Sequence, residues 1–417
     1  MDKIVVIGGN PLSGSVSVGG AKNAVLPAMA ATLLCPGVYT IRRVPDLRDT
    51  RTMAKLLEII GATVSHGKNE MVIDTTACDT PEAPYDLVKT MRASFYVLGP
   101  LLSRFGHAKV SLPGGCAWGP RPVNFHVAAM EALGAETALE GGYVIARGRR
   151  LTGTDIAFDV PSVGATGNTV MAAVMARGTT VIRNAAREPE IVSLCDFLRR
   201  MGAAISGAGT DTLTIEGVRD LKPANFEVIP DRIEAATFLI AGALAGERIT
   251  VEKVDPGILT AVLVKLQGAG AVVTESNDSV SVSGAERLRP VSIRTAVYPG
   301  FPTDVQAQWT ALMAVAEGTS TITDTIYHDR FTHVAELMRL GADIRMSGNT
   351  AIVTGQKELR GAAVMSTDIR ASASLILAGL VARGRTDISR VYHIDRGYEK
   401  IEEKFKGLGA EIWREAE

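Results

Sequence analysis

Sulfur and aromatic rings are scarce in this chain. Only 4 of its 417 residues are Cys and only 5% are aromatic. Cys35, Cys78, Cys116 and Cys195 show no C-x-x-C spacing, so they form neither a disulfide framework nor a zinc site. The 6 His residues give no H-E-x-x-H, the helical zinc-protease pattern. Neither sign of charge dominates: 44 Lys and Arg face 45 Asp and Glu, a net charge of −1. That balance excludes a chain built to coat nucleic acid or an acidic membrane. The longest apolar stretch, about Ala235–Ala245, falls short of the ~18 residues that a spanning helix requires, so no membrane insertion is expected. Met1–Val6 has neither the basic start nor the long apolar region of a signal peptide. A cytoplasmic protein without metal or cofactor is expected. Nucleotide-loop motifs are missing too. Ile7-Gly8-Gly9-Asn10 does not complete G-x-G-x-x-G, and Gly19-Gly20-Ala21-Lys22-Asn23 lacks the P-loop spacing.

What is present is glycine, 42 residues of it, and it recurs. A Gly-Ala pair at a helix end precedes a strand at Gly61, Gly134, Gly202, Gly270, Gly341 and Gly409. A second series precedes another strand at Gly37, Gly106, Gly178, Gly246, Gly318 and Gly384. Both have a period of about 70 residues, which marks a six-fold repeat. Each unit reads β-α-β-α-β-β. Its first helix is apolar all round (Ala24–Leu34, Ala93–Leu102, Asn168–Ala176, Glu234–Ala245, Gln306–Ala316, Ala371–Ala382), as in a helix buried on every side. Glycine ends this helix as a C-cap would. Its second helix is amphipathic (Thr50–Ile60, Val123–Leu133, Glu190–Met201, Ile258–Gln267, Thr332–Leu340, Tyr398–Leu408). Turns such as Gly67-Lys68-Asn69 and Ser347-Gly348-Asn349 close hairpins. The last unit lacks its return strand, while two strand-like segments, Lys3–Ile7 and Ser13–Val18, precede the first helix. The N-terminus therefore supplies missing strands. Six buried helices exceed one ordinary core, so two domains of three repeats are expected: residues 22–229, and a discontinuous one of 1–21 with 230–417.

Cations stand where helix physics opposes them. Lys22, Arg92 and Arg370 lie in or near the first turns of buried helices, where a positive charge works against the macrodipole by about 0.3–1 kcal/mol. Arg48, Arg121, Arg187, Arg330 and Arg396 open the second helices. Helix N-termini already attract anions. Adding cations makes sense if a phosphate or carboxylate fills the space, and equivalent helix ends would gather these residues on one face of each domain. The other reading is solvated charge paired with Asp46, Asp329 and Asp395.

Cys35 and Cys195 read as core residues, and Cys78 lies in a polar loop. Cys116 sits in Leu112-Pro113-Gly114-Gly115-Cys116-Ala117-Trp118-Gly119-Pro120-Arg121, whose glycines and prolines forbid regular structure. It is either a reactive thiol, acidified by neighbouring cations, or an incidental loop cysteine. Asp304 and Asp368 hold matching places before buried helices. Each is either an N-cap or a base at the cationic end.

Several blocks, in order, resemble the enolpyruvyl transferases: Gly19-Gly20-Ala21-Lys22-Asn23-Ala24, Leu112–Cys116, Arg121-Pro122-Val123, Phe301–Gln308, Thr367–Ala373 and His393–Tyr398. The likeness runs the length of the chain. It implies an α/β fold of two inside-out α/β barrels, each of three repeats, with helices inside and sheets outside. It implies transfer of the enolpyruvyl group of phosphoenolpyruvate to the 3′-hydroxyl of UDP-N-acetylglucosamine, releasing phosphate, toward peptidoglycan. It also implies roles. Cys116 would be the acid at C3 of phosphoenolpyruvate and a site of covalent adducts, including alkylation by fosfomycin. Asp304 would take the hydroxyl proton. Lys22, Arg121 and Arg396 would clamp phosphate and carboxylate. Asn23, Arg92, the segment Arg121, Pro122, Val123, Asn124 and Phe125, the turn Val160, Pro161, Ser162, Val163 and Gly164, and Ile326 would hold the nucleotide. Asp368 and Arg370 would shape the site and help position the phosphate, and Arg330, like them, would bind substrate. The domains would close on the nucleotide under a Cys116 lid. The chain departs from the family pattern at Asn124-Phe125, Val160 and Tyr327-His328, which bears on nucleotide contacts rather than on acid, base or anion clamp. Two alternatives share these features: transfer to shikimate 3-phosphate, and a silent paralogue that only binds the nucleotide.

Overall fold

The computed structural model describes residues 2–113 and 123–416. Cys116, Arg121 and Pro122 lie outside the described residues. The chain divides into two compact units, Gly20–Ile229 and Met1–Gly19 with Pro230–Glu417. Gly20 and Ala21 side with the first of these. A Cβ on Gly20 would stand 1.9 Å from the Arg43 carbonyl oxygen, and Ala21 N–H bonds to Ile229 O at 2.7 Å. Each unit has its own apolar core.

Among the described residues there are six four-stranded sheets, three in each unit. All six share one strand order. In the unit Gly20–Ile229, one sheet sets Glu82–Ala83, His107–Ser111, Tyr143–Arg147 and Glu136–Glu140 side by side. The first pair is parallel and the others antiparallel. The outer strand of the next sheet, Asp155–Ala157, likewise runs parallel to Thr179–Arg183. Strand residues alternate between core and solvent, as in Val38–Arg42, where Tyr39 and Ile41 are buried and Val38 and Arg42 exposed. This is the period of two expected when one sheet face covers a core.

Inside each unit lie the three apolar helices. Arg232–Ala245 is buried from Ile233 through Ala243, and Ile369–Val381 from Arg370 through Leu380. The amphipathic helices, such as Arg48–Ile60, bury one stripe only. The Gly-Ala glycines explain the repeat physically: all six hold φ between 92° and 106°, the left-handed turn that ends a helix at little cost only for glycine. The second series differs at one place. Gly246 has φ −89° and ψ 130°, so the chain runs from the helix directly into strand Gly246–Glu252 without a left-handed cap.

The chain ends complete the repeats. Asp2–Ile7 lies between Arg385–Ser389 and Glu411–Ala416, antiparallel to both, in the place of the return strand that the last repeat lacks. Leu12–Ser17 pairs in parallel with Gly246–Glu252. The first repeat borrows Phe226–Glu227 alongside Val38–Arg42. Ile4, Val5 and Val6 are fully buried, each worth about 1.5–3 kcal/mol of transfer free energy. No helix among the described residues is long and apolar enough to cross a membrane.

Candidate active site

In the unit built from Met1–Gly19 and Pro230–Glu417, the buried helices start in two ways. Asp231 caps Arg232–Ala245, its Oδ1 accepting from Ile233 N–H at 2.8 Å and Glu234 N–H at 3.1 Å. Asp368 caps Ile369–Val381, accepting from Arg370 N–H at 2.7 Å and Ala371 N–H at 3.2 Å. Such caps are worth about 0.5–2 kcal/mol. The third helix, Gln306–Met313, is entered through the 3-10 turn Thr303–Val305 and has no side-chain cap. Asp304 lies in that turn. Of the two carboxylates that could serve as caps, therefore, only Asp368 does. Asp304 Oδ1 takes Arg330 Nη2 at 2.8 Å, and its Oδ2 takes Arg370 Nη2 at 3.3 Å.

Both guanidiniums are deeply buried, Arg330 at 8% and Arg370 at 2% exposure. Burial opposes their charge, but Asp304 raises the pKa of Arg330, and Tyr398 and Asp304 raise that of Arg370. A buried cation left without its anion is costly, so Asp304 keeps both arginines in place while they orient it. Asp324, which the sequence reading missed, supports the arrangement. It is fully buried. Its Oδ1 accepts from Ile326 and Tyr327 N–H, both at 2.9 Å, and from the Thr295 hydroxyl at 2.9 Å. Its Oδ2 accepts from Thr303 Oγ1 at 2.7 Å, which in turn accepts from Arg330 Nη1 at 3.1 Å. The signal available was Asp-Thr-Ile-Tyr, an Asp able to bond the backbone two and three residues on.

Arg396 ends the short 3-10 helix Val391–Arg396, and the α-helix begins only at Ile401. The expectation that this arginine opens the second helix is therefore corrected. The cause is the next residue: a Cβ on Gly397 would lie 2.2 Å from Ile369 Cγ2, so the chain is held against the start of helix Ile369–Val381 instead of winding on.

In the unit Gly20–Ile229, Lys22 is the first residue of helix Lys22–Ala31, and Asn23 the second, half-buried. Lys22 Nζ lies 3.5 Å from Asp49 Oδ2, with side-chain exposures of 12% and 5%. Asp49 occupies the first turn of Arg48–Ile60, where a carboxylate is favoured. Arg92 opens a 3-10 turn, Arg92–Val97, so this repeat approaches its buried helix through a tighter coil than expected. Ser162 caps Val163–Ala173 through Ala165 N–H at 3.3 Å, with Val160 exposed and Pro161 and Val163 half-buried.

Phe125 and Gly164, from two of the expected segments, each pack against a residue adjoining the other segment. Phe125 contacts Phe158 edge-on with centroids 6.0 Å apart. A Cβ on Gly164 would stand 3.1 Å from His126 Nε2. Asn124 opens the helix Asn124–Ala132 and is exposed, after Val123 at its N-cap. The amide of Asn168 locks His126: its Oδ1 accepts from Gly99 N–H at 2.6 Å, so its Nδ2 faces His126 Nδ1 at 3.0 Å. That nitrogen is then the acceptor and Nε2 carries the proton.

Burial, then Arg92, pushes the His126 pKa down to about 3; burial, then Arg330, does the same to His333. The unfolded chain takes up these protons near pH 6.5, so stability is full above that value and is lost as pH falls toward 3. The expected loss is about 2 kcal/mol for each histidine between pH 7 and 5. Urea unfolding at both pH values tests this. The double variant His126→Gln/His333→Gln should show a flatter dependence, and an unchanged slope would contradict the assignment.

Asp46 binds Arg51 at 2.6 Å and Asp395 binds Arg414 at 2.8 Å. Arg187, which bonds Gly209 O at 3.2 Å, and Arg48 are exposed, unlike the inward Lys22, Arg330 and Arg370. Cys35, Cys78 and Cys195 are buried. Cys78 lies in a loop but is buried there; burial raises its pKa, although Arg104 works the other way. Among the described residues no group of three or more His, Cys, Asp or Glu could hold a metal ion.

Comparison with known proteins adds three kinds of likeness. Residues 6–405 match the family model of EPSP synthase (3-phosphoshikimate 1-carboxyvinyltransferase). The chain is 55% identical over 414 residues to the UDP-N-acetylglucosamine 1-carboxyvinyltransferase of Geobacter metallireducens, covering 99% of each. It is 56% identical to the protein of that name from Chloroherpeton thalassium, covering 100% of this chain and 97% of the other. Among solved structures, the enolpyruvyl transferase NikO from Streptomyces tendae superposes with a TM-score of 0.89 at 28% identity, covering 99% of this chain and 98% of that one. An EPSP synthase from Acinetobacter baumannii superposes at 0.77 with 17% identity over the whole of both chains, a likeness of fold.

Proposed function

Because the chain belongs to the EPSP synthase family of enolpyruvyl transferases, we propose for it the sugar-nucleotide form of that chemistry. The enzyme transfers the enolpyruvyl group of phosphoenolpyruvate to the 3′-hydroxyl of UDP-N-acetylglucosamine and releases phosphate, a step of peptidoglycan synthesis. The observation that carries this reading is end-to-end identity of 55% to relatives named for that acceptor, against 17% to the EPSP synthase structure.

The reaction is an addition followed by an elimination. The 3′-oxygen bonds to C2 of phosphoenolpyruvate, its proton passes to Asp304, and C3 gains a proton from Cys116. The C2–O bond to phosphate then breaks, C3 gives up a proton, and the double bond returns. Asp304 suits its part because Arg330 and Arg370 fix both of its oxygens. A positioned acid or base of this kind supplies about 10²–10⁴ in rate. Lys22, Arg121 and Arg396 offset the charge of phosphoenolpyruvate and of the tetrahedral intermediate. Asn23, Arg92, Arg121–Phe125, Val160–Gly164 and Ile326 hold the nucleotide, with the Ser162-capped helix end receiving its negative charge. Asp368 holds Arg370 through its backbone N–H.

Phosphate release with each acceptor is the direct test. Release should depend on UDP-N-acetylglucosamine; release with shikimate 3-phosphate alone would overturn the reading, and nucleotide binding without turnover would favour a silent paralogue. A Cys116→Asp enzyme should retain turnover, because a carboxyl group can still deliver a proton, yet resist alkylation by fosfomycin. Intact mass after incubation with the epoxide reads this out, and a persisting adduct would contradict the assigned thiol.

A further inference from the structure

Tyr398 has no part in the chemistry above, yet its hydroxyl stands where all three buried helices of its unit meet. From Arg232–Ala245 comes Thr237, whose Oγ1 lies 2.9 Å from Tyr398 Oη. Thr237 gives its own proton to Ile233 O at 2.9 Å, so the phenol donates to it. From Gln306–Met313 comes Gln308, whose Nε2 donates to Tyr398 Oη at 3.1 Å and to the Asp304 carbonyl at 3.1 Å. From Ile369–Val381 comes Arg370, its guanidinium carbon 5.2 Å from the centre of the Tyr398 ring while Nη2 reaches Asp304 Oδ2. Two of these three ties end on Asp304, one on its backbone and one on its carboxylate.

Nothing in the packing alone calls for this hydroxyl. Tyr398 is 1% exposed, and Gln308 and Thr237 are fully buried. Phenylalanine would fill nearly the same volume, and a core of apolar residues is often as stable as one with buried charge. Gln308 Oε1 and Arg370 Nη1 are among the buried polar atoms left without a hydrogen-bond partner among the described residues, which costs the core that holds them stability. What the arrangement does provide is fixed geometry on a single carboxylate, as a general base within hydrogen-bond reach of its proton requires.

We propose that Tyr398 is a positioning residue, holding the Asp304 carboxylate in line with the acceptor hydroxyl through Gln308 and Arg370. The proposal rests on the reading of Asp304 as base. Tyr398→Phe keeps the ring under Arg370 and removes only the hydroxyl. Its kcat should fall about tenfold, while KM for both substrates and the calorimetric affinity for UDP-N-acetylglucosamine stay within twofold. Gln308→Leu, which cuts the same link from the other side, should show the same split and serves if Tyr398→Phe folds poorly. In an Asp304→Asn background, Tyr398→Phe should cause no further loss, because its effect passes through Asp304. If Asp304→Asn is slow but Tyr398→Phe turns over normally, or if the two losses multiply, the positioning role is overturned and the base survives. If Asp304→Asn itself turns over normally, the reading of the base has failed instead.

Discussion

Asp304→Asn should leave an enzyme that still binds UDP-N-acetylglucosamine but turns over about 10²–10⁴-fold more slowly, the range for loss of a general base. The substitution keeps size and shape and removes the charge. It also withdraws the anion from Arg330 and Arg370, whose burial makes an unpaired positive charge costly. Breaking a buried pair typically costs about 3–5 kcal/mol. Here the figure should be lower, since the Asp304 side chain keeps 25% of its exposure. The slowed enzyme should therefore also melt earlier, and calorimetry beside stopped assays separates the two effects. A kcat within threefold of the parent would remove Asp304 from the mechanism whatever the melting point.

Lys22→Ala should act on the other substrate. Lys22 Nζ sits 3.5 Å from Asp49 Oδ2 in a place only 12% exposed, so its charge is little screened by water. Losing one preorganised charge aimed at a developing anion costs about 10²–10³ in rate. The loss should fall on kcat/KM for phosphoenolpyruvate, with nucleotide affinity changed less than threefold by titration calorimetry. Equal losses for both substrates would refute the assignment. Lys22→Arg should restore little, because a planar guanidinium does not reproduce a compact ammonium.

Much of the architecture could be read from the residues because glycine marks it. A left-handed φ at Gly61, Gly134, Gly202, Gly270, Gly341 and Gly409 is a local demand, and a local demand leaves a local mark. The buried helices were legible for a similar reason: a run such as Ala235–Ala243 has no polar face to turn to water. What stayed hidden depends on partners distant in sequence. Asp304 and Asp368 look equivalent beside their helices, and only Arg330, 26 residues from Asp304 in sequence, and Arg370, 66 away, separate a held carboxylate from a cap. Asp324 reads as a loop residue until Thr295 and Thr303 close on it. The late start of the last helix, at Ile401, follows from a contact between Gly397 and Ile369 that no window around Gly397 contains.

The strand Asp2–Ile7 occupies an interior place in its sheet, and both of its neighbours lie beyond residue 384. On a ribosome this segment is made before either of its partners and must wait for both. Gly20–Ile229, by contrast, is contiguous and holds its whole core within itself, so it can fold while the remainder is still being translated. Until then Asp2–Ile7 is an unpaired β-strand with Ile4, Val5 and Val6 open to any passing sheet edge. Nascent-chain capture by holdase chaperones should therefore centre on Asp2–Ile7, and its displacement should cost solubility more than an equal perturbation of an edge strand such as Asp155–Ala157.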